Sequence, residues 1–175
     1  SLIEINIPIS VSTIGSFAFS RCSSLSQIKI PSAVISIEDG VFSECILLSQ
    51  IELLSSITSI QSSLFYKCIS LEKITIPCSV TSIERNAFYG CSSLNEITIP
   101  SSVKSLNENC FYGCTSLTRI SIPSSVTLID KNAFYGCLSL DQISVPSSVK
   151  KIGQNAFDQC SSLKKIIVDP FLTKI

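Results

Sequence analysis

Cysteine supplies most of the reactive chemistry that this chain could offer: nine thiols in 175 residues, with no histidine and no methionine. Thiols can pair as disulfides, hold zinc or attack as nucleophiles, and each use leaves its own spacing. Seven of the nine stand at 22, 45, 68, 91, 114, 137 and 160, an unbroken, constant interval. If that column follows strand spacing, its side chains lie parallel and roughly 4.8 Å apart. A disulfide needs Cβ atoms about 3.8 Å apart and facing each other. Zinc needs convergent ligands in short pairs, and the chain contains no Cys-x-x-Cys. The column therefore predicts a ladder of unpaired, buried thiols that act as small hydrophobes. Cys78 and Cys110 fall outside it, at a serine-type and an alanine-type position.

Other reactive groupings are missing. The sequence has neither the glycine-rich phosphate loop ending in Gly-Lys-Ser/Thr nor a Gly-x-Ser-x-Gly elbow. Its acidic residues fall in different columns of the repeat, so no pair is set up for acid–base work. No catalytic residue, cofactor or metal site is predicted. Lysine plus arginine equals aspartate plus glutamate at 13 each. That balance gives no basic surface for nucleic acid, and no run reaches the ~18 apolar residues of a membrane span.

The elements that carry these residues follow the same period. Leucine recurs at 2, 25, 48, 71, 94, 117, 140 and 163, and phenylalanine at 19, 42, 65, 88, 111, 134 and 157. Each unit opens with Leu-x-x-Ile and a further isoleucine, leucine or valine two places on, as in Leu25, Ile28 and Ile30, with Gln27 and Lys29 alternating between the apolar positions. Period-two alternation is the mark of a strand with one buried face. Proline ends it at 8, 31, 77, 100, 123 and 146, because proline lacks the N–H that a ladder requires. A second apolar pair follows, for example Val80 and Ile83, which predicts a minor strand. The return, Asn86-Ala87-Phe88-Tyr89-Gly90-Cys91, predicts a short 3₁₀ or α turn with the phenylalanine inward. Gly90, Gly113 and Gly136 suit positive φ. The Ser/Thr columns before each leucine can satisfy loop polar groups. A repeat of this length and content is a leucine-rich-repeat solenoid: a parallel sheet on one face, with short second strands and short helical turns on the return side.

One domain is expected over 1–175, of seven full units plus a partial or atypical last one. Leu54 in place of proline and Lys67 in place of glycine make unit 48–70 the weakest match. Asp169-Pro170-Phe171-Leu172 breaks the pattern, either as a cap or as a changed continuation. The chain enters directly at a repeat, without a signal peptide, and reads as a fragment of a longer protein. Its open repeat ends predict self-association.

The string Ile-Pro-x-Ser-Val-x-x-Ile followed by Ala-Phe-x-x-Cys-x-x-Leu, carried for instance by Pro100, Val103, Phe111, Cys114 and Leu117, resembles the BspA-like, or Treponema pallidum-type, leucine-rich repeats. That class occurs in bacterial surface antigens and in protists such as Entamoeba and Trichomonas. The resemblance covers Leu2 to Val168. It implies a solenoid that binds proteins: adhesion to host proteins, coaggregation or, in some amoebal members, intracellular partner binding. It brings no catalytic residue.

Two surfaces are candidates for binding a protein. One is the outward face of the main sheet, where Lys73, Glu96, Arg119 and Gln142 form one row and Lys29, Glu52, Thr75 and Thr98 the next. These positions vary in type while the inward columns hardly change. The other is the tyrosine row Tyr66, Tyr89, Tyr112 and Tyr135, since tyrosine joins apolar area to a polar tip. A surface adhesion module, an intracellular adaptor and a structural spacer all fit. The resemblance favours the cell surface or secretion, whereas unpaired cysteines and the lack of any Asn-x-Ser/Thr acceptor favour the cytoplasm.

Overall fold

The computed structural model describes residues 2–168. The chain coils as a succession of turns of equal length, and every strand pair between turns is parallel and joins residues exactly one repeat apart, as Arg119 joins Glu96. The main strands are Gln27–Ile28, Gln50–Ile51, Lys73–Thr75, Glu96–Thr98, Arg119–Ser121, Gln142–Val145 and Lys165–Val168. The minor strands expected after each proline are present as Thr13–Ile14, Ser36–Ile37, Ser59–Ile60, Ser82–Ile83, Ser105–Leu106, Leu128–Ile129 and Lys151–Ile152. In the first unit the main strand is reduced to one isolated bridge, Asn6 to Lys29. Unit 48–70 is where regularity lapses. The minor sheet is interrupted between Ser36–Ile37 and Ser59–Ile60. The main sheet there is reduced to a bridge from Glu52 to Thr75 and a hydrogen bond from Glu72 N–H to Ser49 O. The departing residues Asp169–Leu172 lie outside the described residues.

The core is a stack of identical layers. Leu48, Leu71, Leu94, Leu117 and Leu140 are fully buried, as are Phe42, Phe65, Phe88, Phe111 and Phe134. Successive phenylalanine rings lie nearly parallel, with centroids 5.4 to 6.0 Å apart. A single unit could not bury these rings; the neighbouring turns provide both faces.

The return side corrects one expectation. No helix forms among the described residues. The N–H groups of Ala87, Tyr89 and Cys91 do close turns onto Glu84, Asn86 and Phe88, three residues back. Those of Asn86, Phe88 and Gly90 instead donate to Glu108, Cys110 and Tyr112 of the following turn, at 3.0, 2.8 and 2.7 Å. A helix would direct every N–H along its own axis; here each second one is taken by the neighbouring turn. Two residues per unit sit at positive φ to permit this, four positions apart: Asn86 at 57° and Gly90 at 70°. The glycines were legible. The asparagine column serves the same purpose, since asparagine tolerates that region. Its side chains also bond to one another, Asn109 Nδ2 to Asn86 Oδ1 and Asn132 Nδ2 to Asn109 Oδ1, both at 2.9 Å.

The cysteine column is unpaired, and it is more than small hydrophobic filling. From Cys45 onward each column thiol donates to the carbonyl of a phenylalanine 26 residues earlier: Cys68 to Phe42 at 3.0 Å, Cys91 to Phe65 at 3.0 Å, Cys137 to Phe111 at 3.2 Å. That carbonyl already accepts one N–H, so the S–H fills its second lone pair. In the Ser column two places after the proline position, Ser56 donates to Val34 O and Ser79 to Ile57 O, both at 2.7 Å, whereas the buried Ser125 Oγ has no partner among the described residues. Burial, with the neighbouring Cys22 adding to it, pushes the Cys45 thiol up to about 12. Burial likewise raises Cys68, Cys91 and Cys114 well above the ordinary thiol range.

These layers yield three predictions. Phe111→Ala should destabilise the fold by about 3–5 kcal/mol, the usual cost of emptying a buried aromatic site. Tyr112→Ala should cost less in the same denaturant melts. Thiol labelling of the native protein should modify the exposed Cys78 quickly and the column slowly, reaching nine thiols on unfolding. Because folded thiols ionise later than unfolded ones, the unfolded state sheds protons first as pH rises past about 9. Stability should therefore be intact below pH 9 and fall from there towards pH 12, the Cys45 window. Cys91→Ala should make that alkaline decline shallower.

Candidate protein-binding surfaces

Alternation along the main strands turns Ile74, Ile97, Ile120 and Ile143 inward and leaves their neighbours in solvent. All eight residues of the two sequence-predicted rows, Lys73, Glu96, Arg119, Gln142, Lys29, Glu52, Thr75 and Thr98, are exposed. The register brings the centre of the first row together: Lys73 stands opposite Glu96, and Glu96 opposite Arg119. The second row continues as Thr75, Thr98, Ser121 and Ser144. Lys73 Nζ lies 4.0 Å from Glu96 Oε2, with both side chains about 70% exposed. An ion pair so solvated contributes little to stability, and both charges remain open to a partner. Gln142 faces Lys165 in the last pair.

The tyrosines of the second row are assembled as a stack. Each is half-buried. Tyr66, Tyr89, Tyr112 and Tyr135 stack ring on ring, with centroids 4.9, 4.5 and 4.7 Å apart. The turn spacing is close to an aromatic stacking distance, so the rings cover each other and present their edges. Lys67 Nζ sits 5.2 Å from the centre of the Tyr66 ring. Burial, then the neighbours Tyr112 and Tyr66, hold the Tyr89 phenol above its ordinary value. This ladder braces the return side; it offers less free area than four separate rings.

Periodicity did not signal a third feature. An open groove of about 1200 Å³ runs over the outward face of the first three turns, lined by residues from Glu4–Ile9, Gln27–Ser32 and Gln50–Leu54. It takes in Lys29 and Glu52 from the predicted face and leaves Lys73 and Glu96 outside. Its only signal in the sequence is a departure from the repeat, Ile9 where most units have serine and Leu54 where they have proline. Among the described residues, no group of three or more cysteine, aspartate or glutamate side chains could hold a metal ion, and no helix is long and apolar enough to cross a membrane.

A family model described as BspA type leucine rich repeat region matches residues 1–100 and 81–175. Among solved structures, a leucine-rich repeat protein of T. pallidum is similar at 29% identity and a TM-score of 0.83, over 92% of this chain and 78% of that one. A leucine-rich repeat protein from Bacteroides ovatus is 28% identical with a TM-score of 0.67, over 99% of this chain and 60% of its own. The pneumococcal vaccine antigen PcpA shares the fold, at 20% identity and a TM-score of 0.63, over 97% of this chain and 51% of that protein. No curated protein sequence matches the chain.

Proposed function

Since this chain belongs to the BspA-type leucine-rich repeat family, we propose that it is a non-enzymatic protein-binding scaffold of the surface-adhesion kind, engaging a host protein through the outward face of its main sheet. The observation that supports this reading is the division of labour within each strand. Inward isoleucines barely change from turn to turn, while the exposed positions beside them run lysine, glutamate, arginine and glutamine in register. Seven main strands at about 4.8 Å per step span roughly 29 Å. That is room for the ~800 Å² per partner of an ordinary protein interface. Charges of alternating sign give local complementarity instead of long-range steering.

An intracellular adaptor is the second reading. The nine unpaired cysteines support it, because free thiols persist most readily in a reducing compartment.

Once pull-down and mass spectrometry have named the partner, a binding titration tests the face. Lys73→Glu combined with Arg119→Glu should weaken binding at least tenfold, about 1.4 kcal/mol, with the thermal melt unchanged. The return-side pair Lys131→Glu and Arg85→Glu should leave affinity within twofold; loss of binding in this pair alone would assign the interface to the tyrosine side.

A further inference from the structure

We propose that the groove over the first three turns is a docking site for an extended segment of a partner protein that carries an aliphatic side chain and, two to five positions away, a basic residue. The proposal rests on the protein-binding reading above and adds, at one end of that face, a contact of stated chemistry.

Two departures from the repeat converge there. The position of Ile9 is occupied in the following turns by Ser32, Ser55, Cys78, Ser101, Ser124 and Ser147, and the position of Leu54 is proline in the six other units. Ile9 and Leu54 both line the same end of the groove, beside Pro8 and Pro31. Ile9 is 75% exposed, so it gains nothing from the protein's own core. Apolar area left in solvent where the other turns place a small side chain marks a place that a partner covers.

The polar part of the groove limits what that partner is. Glu4, Lys29 and Glu52 line it, and among the described residues none of the three is in an ion pair. Two carboxylates against one ammonium leave a deficit of one positive charge, which a lysine or arginine of the partner would fill. Glu52 precedes Leu54 by two residues and Glu4 precedes Ile9 by five. At ~3.3 Å per residue Glu52 lies roughly 7 Å from Leu54, and Glu4 at most about 17 Å from Ile9 because the chain turns after Pro8. An extended segment has the same rise, which sets the spacing of its basic residue. Asn6, Gln27 and Gln50 add side-chain amides, each with donors and an acceptor that match a peptide group. No aromatic ring lines the groove, so there is no face for a sugar to stack on.

Selection of a displayed library of random eight-residue peptides on this chain tests the inference. Enriched peptides should pair Leu, Ile or Val with Lys or Arg at the stated spacing. Ile9→Ser combined with Leu54→Pro restores the repeat's own residues, and Leu54 already closes the same turn through its carbonyl as the prolines do; this variant should keep its melting transition and bind the selected peptides at least tenfold more weakly. Glu52→Lys should weaken them similarly and relax the demand for a cation. Enrichment of peptides without the basic residue, equal binding by the double variant, or no enrichment at all would overturn the groove. The Lys73→Glu and Arg119→Glu pair should bind the selected peptides normally, so failure of the groove and failure of the broader face give different results.

Discussion

Hydrogen bonds along the axis of the coil govern the rest of this molecule. Every turn must offer its polar backbone groups to the turns on either side at the spacing of a parallel sheet, and a buried group left without a partner costs free energy comparable to a lost bond. That requirement fixes one unit length for the whole coil and holds like over like. Once Phe88 lies over Phe65, the same offset places Cys91 over Cys68 and Leu94 over Leu71. The side chains then have to suit both the space and the leftover acceptors. Cysteine meets both demands on the return side, filling a small buried site while its S–H reaches a phenylalanine carbonyl.

Much of this is legible in the sequence itself. Unbroken columns of leucine, phenylalanine and cysteine imply stacking, because only a regular coil repeats one environment at a constant interval along the chain. Proline after each isoleucine pair implies the exit from the sheet, and Gly90, Gly113 and Gly136 imply the left-handed backbone that they adopt. The return conformation was not legible, since Asn86-Ala87-Phe88 is compatible with a helical turn until the pull of the adjacent turn on alternate N–H groups is included. The tyrosine row was visible as a row, but not its stacking, which depends on the 4.5 to 4.9 Å between rings. For the candidate site, strand alternation settled which residues face outward. The groove stayed hidden because it depends on the shape of three turns, and its sole trace was two residues that disobey the pattern.

Such a fold separates stability from recognition more completely than most. The inward columns are tied to one another through the coil and tolerate little change. The outward rows of the main sheet carry no packing duty, so Lys73, Glu96, Arg119 and Gln142 can differ from turn to turn without disturbing the layer beneath. Irregularity is therefore informative. In a compact fold an exposed isoleucine is commonplace; here Ile9 stands out against six other turns that show what the architecture itself would place there.

The direction of the axial bonds has an electrical consequence. On the return side Asn86, Phe88 and Gly90 donate towards the later turn. Elsewhere around the same turn, Thr81, Glu84, Ser93 and Asn95 donate towards the earlier one, to Thr58, Ile60, Ile69 and Glu72. An α-helix aligns all its peptide dipoles and builds up opposite partial charges at its two ends. In this coil the two sets of dipoles oppose each other within every turn, and the strands between them contribute little net moment. Polarisation along the axis therefore does not accumulate as turns are added, and an array of this kind can be lengthened unit by unit without charging its ends.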